Sequence, residues 1–103
     1  MSALQDLKDF LIGEKIEAVI FGDYGGRDDE PQLPIEYVGQ VFYWCKKIRD
    51  QMEHWSFDSD YGLPKTHPMV CWTNKRIIYV QEYDGRTWLK SVPRNPVEEI
   101  PKF

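Results

Sequence analysis

The sequence predicts an α+β fold: a two-layer sandwich in which two helices lie on one face of an antiparallel sheet of about four to five strands. Three observations lead there. Residues 69–93 hold three apolar, β-branched and aromatic runs joined by the turn signals Asn74-Lys75 and Asp84-Gly85, and a two-residue Asp-Gly loop between strand-type runs is a strong hairpin signal. Two stretches, near residues 2–12 and 43–53, carry apolar residues at helical spacing. Between them, Ile16, Ala18, Val19, Ile20 and Phe21 form a nearly continuous apolar run that reads as a buried central strand.

Taken in order, Ser2 opens the first helix with capping-box spacing, since Gln5 lies three residues on. Leu4, Leu7 and Leu11 follow helical spacing, Phe10 and Ile12 widen the stripe, and Gly13 suits the left-handed residue that ends a helix. After the central strand, residues 22–34 read as a loop with adjacent glycines, two prolines and the acidic cluster Asp28, Asp29 and Glu30. Residues 35–53 are ambiguous, because Val38, Val41, Phe42, Cys45, Ile48 and Met52 have helical spacing while residues 38–43 are β-branched and aromatic. The reading adopted is a short strand near 37–42 and a helix from about Tyr43 to Glu53, with one long helix as the alternative. Residues 54–68 form a second loop, punctuated by Asp58, Asp60, Gly62, Pro64 and Pro68. Pro93 and Pro96 end the meander, leaving a tail from about residue 94 that is either docked through Ile100 and Phe103 or frayed.

The 103 residues suit a single domain over 1–103 with one core. Aromatic residues make up 15%, with four Trp and six Tyr, more ring surface than so small a core easily buries. No apolar run reaches membrane-spanning length and no secretory pattern opens the chain, so a soluble, cytoplasmic protein without membrane contact is expected. Cys45 and Cys71 are too few for a disulfide framework and read as buried free thiols. The net charge of −4 is unevenly spread: residues 1–64 carry six Lys/Arg against thirteen Asp/Glu, whereas residues 65–94 carry six against two. Such a split can steer association, and it equally suits a basic meander packed beside an acidic half.

The two turns determine which meander side chains share a face. Trp72 falls opposite Ile77, Val70 opposite Tyr79, Gln81 opposite Trp88 and Val80 opposite Leu89. One face then holds Met69, Cys71, Ile78, Val80 and Leu89, the natural floor for the helices. The other holds Val70, Trp72, Ile77, Tyr79, Trp88 and Val92, together with Gln81, Tyr83, Arg86 and Lys90. Trp72, Tyr79 and Trp88 interleaved with Arg86 and Lys90 make a stacking platform for a partner, unless the loops and tail fold over it as a second small core.

Motifs with chemical content are weak. His54, His67, Cys45 and Cys71 lack zinc-ligand spacing, and the segment from Asp58 to Gly62 lacks the later ligands of a calcium loop, so neither metal nor cofactor is expected. Cys71 beside His67 resembles a nucleophile pair only in sequence, since burial silences a thiol. Gly22, Gly25 and Gly26 lack the lysine of a phosphate loop and stand among carboxylates. Nucleic acid is disfavoured by a calculated pI near 5.1.

The function these features fit best is a non-enzymatic protein-interaction or regulatory and inhibitory module. Its expected contacts are Trp72, Tyr79, Trp88, Arg86 and Lys90 on the sheet, and Asp28, Asp29 and Glu30 in the loop; its partner is another protein or a second copy. The alternative is a small-molecule-binding domain using the same platform. A third reading is a hydrolase-type enzyme with Asp58, Asp60, His54 and His67 as its acid–base set.

Overall fold

The computed structural model describes residues 2–25, 32–57, 66–83 and 86–95, and at residues 82, 83 and 86 the backbone alone. The fold is α+β. Helices α1 (Ala3–Phe10) and α2 (Lys46–Met52) accompany a five-stranded antiparallel sheet of β1 (Ile16–Phe21), β2 (Val41–Tyr43), β3 (Met69–Thr73), β4 (Arg76–Tyr83) and β5 (Arg86–Pro93), in the order β2-β1-β3-β4-β5.

Helix α1 begins as its sequence implies. The Ser2 hydroxyl accepts the Gln5 amide at 3.2 Å, but the Gln5 side chain turns forward to Asp9 at 2.8 Å and leaves the capping box half made. The helix stops at Phe10, short of Ile12, because the Glu14 carboxylate takes the Ile12 amide at 3.1 Å. Gly13 does adopt the left-handed conformation, φ 62°, beyond the extended cap at Leu11.

The strand expected near 37–42 lies at Val41–Tyr43, preceded by a 3₁₀ turn over Ile35–Tyr37, and the second helix starts at Lys46 rather than Tyr43. Pairing overrides helical spacing here. Ala18, Val19 and Ile20 face Tyr43, Phe42 and Val41, and the Trp44 amide donates to Glu17 O at 3.0 Å, which commits the backbone to the sheet until Cys45. Cys45 is therefore an extended helix cap with an exposed thiol, a correction to the buried thiol expected from its apolar setting; Cys71 is buried.

The meander registers are those the turns imply: Trp72 opposite Ile77 and Val70 opposite Tyr79, then Val80 opposite Leu89 and Gln81 opposite Trp88. Asp84 and Gly85 lie outside the described residues, while Tyr83 pairs with Arg86 on either side of them. Alternation then builds the core. Val19, Phe21, Met69, Cys71 and Ile78 cluster with Leu4 and Leu7 of α1 and Ile48 and Met52 of α2, with Val80 and Leu89 packed alongside. β1 is central, as expected, but buries Val19 and Phe21 while Ile16, Ala18 and Ile20 stay half-buried.

One polar node ties α1 to the meander. Glu14 is buried, and its carboxylate accepts Arg76 Nε at 3.0 and 3.1 Å, Arg76 Nη2, and the Thr73 hydroxyl at 2.7 Å. Arg76 also donates to Phe10 O at 2.8 Å and to the Ser91 hydroxyl at 3.2 Å, and its guanidinium lies 4.7 Å from the centre of the Phe10 ring. These charge-assisted bonds hold the Glu14 carboxyl far below its usual range, at about 2, against the opposing effect of burial. Glu14→Gln should cost about 3 kcal/mol of stability by leaving Arg76 without its counter-charge, measured by equilibrium urea unfolding; a change within experimental error would refute a structural role for the pair.

Candidate functional site

The sequence-derived platform forms on the sheet face opposite the core. By the pairing of β3, β4 and β5, Trp72, Ile77, Tyr79, Trp88, Lys90 and Val92 share that face, and β1 and β2 extend it with Ala18, Ile20, Val41 and Tyr43. Ala18 lies opposite Trp72, where a methyl group leaves room for the indole. None of these residues belongs to the core cluster or packs against it. Tyr43 is 86% exposed, Val41 58%, Val92 44% and Trp88 38%, while Trp72 and Tyr79 are half-buried among their strand neighbours. Of the other expected contacts, Asp28, Asp29, Glu30 and the Arg86 side chain lie outside the described residues.

A groove of about 420 Å³ opens where β5 meets α1, with Phe10, Phe57, Trp88 and Leu89 as its apolar walls and Asp6 and Asp9 at its rim. The Thr87 hydroxyl, also in its lining, donates to Phe57 O and so ties the second loop to β5. Trp88 is the one member of the aromatic trio in this groove; Trp72 and Tyr79 do not line it.

The residues proposed for chemistry are placed otherwise. His67 is buried, and its Nε2 accepts the Leu33 amide at 3.0 Å while Nδ1 lies 2.8 Å from Gly22 O. An imidazole that accepts at Nε2 is neutral and carries its proton on Nδ1, which donates to Gly22 O. With both nitrogens engaged by backbone, the ring serves as a connector between the end of β1 and the loop that returns to the 3₁₀ turn. Trp55 meets it edge-on and Tyr24 at a tilt, with ring centres 5.0 and 5.1 Å away. Burial lowers the His67 pKa below 6.5, outweighing the Gly22 hydrogen bond and the charge of Asp23, which act the other way. Burial pushes the Cys71 thiol up to about 12, which removes it as a nucleophile. His54 is exposed, and Asp58 and Asp60 lie outside the described residues. Among the described residues no group of three or more His, Cys, Asp or Glu side chains could hold a metal ion.

Sequence reasoning missed the Glu14–Arg76–Thr73 node, and it did not extend the sheet face to Val41 and Tyr43 of β2. The fold is that of a small α+β domain. No protein-family model, curated protein or solved structure matches the chain. No helix among the described residues is long and apolar enough to cross a membrane.

Two predictions concern this region. The unfolded chain takes up a proton at His67 before the folded one does, so stability should fall as pH drops below 6.5; a second loss should follow between 4.5 and about 2, as Glu14 protonates. Urea midpoints measured across this range should show both steps, and His67→Gln should flatten the first alone. The Thr66 hydroxyl is buried without a hydrogen-bond partner, so Thr66→Val should be neutral or stabilising by about 1 kcal/mol, read as an unchanged or higher melting temperature.

Proposed function

We propose that the chain is a protein-interaction module whose contact surface is the aromatic sheet face. The observation that supports this reading is the set of apolar side chains on the face away from the core, drawn from all five strands between Tyr43 on β2 and Trp88 and Val92 on β5, with Gln81 and Lys90 among them as polar members. Exposed contiguous apolar patches of several hundred Å² mark interaction sites more often than they occur without use. Half-buried indole and phenol rings are also the side chains that anchor interfaces, because they desolvate large areas at little entropic cost. Lys90 is the charged member of the described face, so the fitting partner presents an apolar surface with a carboxylate opposite it.

A small-molecule site is the second reading, favoured by the groove of about 420 Å³ beside Trp88. A ligand there would shift the Trp88 indole resonance and leave that of Trp72 in place.

Affinity capture with the wild-type chain and with Trp88→Ala in parallel tests the first reading. A stoichiometric protein should come down with the wild type, and its purified complex should weaken about 30-fold in Trp88→Ala, with the variant's melting temperature little changed. Equal binding by both baits, or unfolding of the variant, would count against a face made for recognition.

A further inference from the structure

We propose that β2 is a self-pairing edge, through which two copies of the chain join their sheets about a two-fold axis into one continuous sheet of twice the width. This goes beyond the face-binding reading, since it concerns the end of the sheet, and either can fail alone.

The phase of the β1–β2 ladder supports it. Val19 pairs with Phe42, and the Trp44 amide donates to Glu17 O at 3.0 Å, so Phe42 and Trp44 turn their main-chain groups inward to β1. In an antiparallel ladder the alternate residues do the opposite. Val41 and Tyr43 therefore direct N–H and C=O away from the sheet, where no further strand among the described residues pairs with β2. Their side chains are the exposed ones, at 58% and 86%, and Ile35, on the 3₁₀ turn just before, is 79% exposed.

Edge strands are usually guarded by charge or proline. The other edge, β5, has Lys90 within it and Pro93 at its end, and the loop at Phe57 is bonded to its Thr87. β2 has only its brevity, three residues: residues 40–44 are Gln, Val, Phe, Tyr and Trp, with no charge and no proline.

A two-fold axis through Phe42 places Val41 opposite Tyr43 of the second copy, and Tyr43 opposite its Val41. In that register every outward N–H and C=O of the strand finds a partner. The apposed side chains form aromatic–β-branched pairs, the favourable cross-strand combination, and no like charges meet. A second copy is thus the occupant that satisfies this edge with nothing else supplied. Three residues give a short seam, so the dissociation constant should fall on the order of tens of micromolar.

Sedimentation velocity of the full chain from about 1 to about 300 µM tests this, with Val41→Lys/Tyr43→Lys and Val41→Asp/Tyr43→Asp as paired charge variants. Both positions are exposed, and circular dichroism melts verify that the variants fold. The wild type should pass from monomer to dimer, and each double variant should remain monomeric at the highest concentration. An equimolar mixture of the two should recover the dimer, because every cross-strand pair then unites lysine with aspartate. A wild type monomeric throughout, a dimer that persists in both variants, or a mixture that stays monomeric would overturn the proposal. A dimer indifferent to the β2 charges but lost in Trp88→Ala would place self-association on the face and also overturn edge pairing.

Discussion

A side chain on an antiparallel strand has no choice of face once its register is set, and in this protein the register is secured at the β3–β4 turn. The buried Thr73 hydroxyl accepts the amides of Lys75 at 3.1 Å and Arg76 at 2.8 Å and donates to Glu14 at 2.7 Å. One hydroxyl thus closes the turn and attaches it to the segment leaving α1. Asn74 completes the junction through reciprocal bonds with Lys15, its side chain accepting at 2.9 Å and its amide donating at 3.0 Å. Arg94 adds a bond to Thr73 O at 2.9 Å and an ion pair with Glu17. A slip by one residue would break this node and also exchange Cys71 and Ile78 for Trp72 and Tyr79 in the core.

The same economy explains why His67, Glu14 and Cys71 are taken up in the structure. In a small domain, buried polar side chains are needed to satisfy backbone that leaves the regular elements. His67 meets that need for Gly22 and Leu33, and Glu14 meets it for Ile12. Each is committed to structure at both of its polar atoms. Cys71, lying in the centre of β3 opposite Val19 and Ile78, is shielded by the hydrophobic cluster it helps to form.

Both the groove beside Trp88 and the sheet face away from the core remain accessible. The two described helices, Ala3–Phe10 and Lys46–Met52, place Leu4, Leu7, Ile48 and Met52 in the core cluster with residues of the sheet. The opposite side retains the large rings. The sheet's two ends differ in character as well: β5 is long and carries lysine and proline, whereas β2 is short, uncharged and flanked by exposed Ile35.

Local chemistry was legible in the chain itself. The Ser2 cap, the left-handed Gly13, the meander registers and the sorting of Trp72, Tyr79 and Trp88 to one face all follow from rules that operate within a few residues or across a tight turn. Long-range competition was not legible. The strand expected near 37–42 settles at Val41–Tyr43, and the helix expected from about Tyr43 starts only at Lys46, because β1 offers Val41 to Tyr43 a ladder; Cys45 is exposed because that ladder ends there. Glu14 and Arg76, 62 residues apart, meet only once the sheet has formed. Sequence alone could thus determine which side chains stand together on a strand, since the pleat is a property of neighbouring residues. Only the tertiary structure could decide which face the helices cover and which edge is left unguarded, because those depend on where distant segments come to rest.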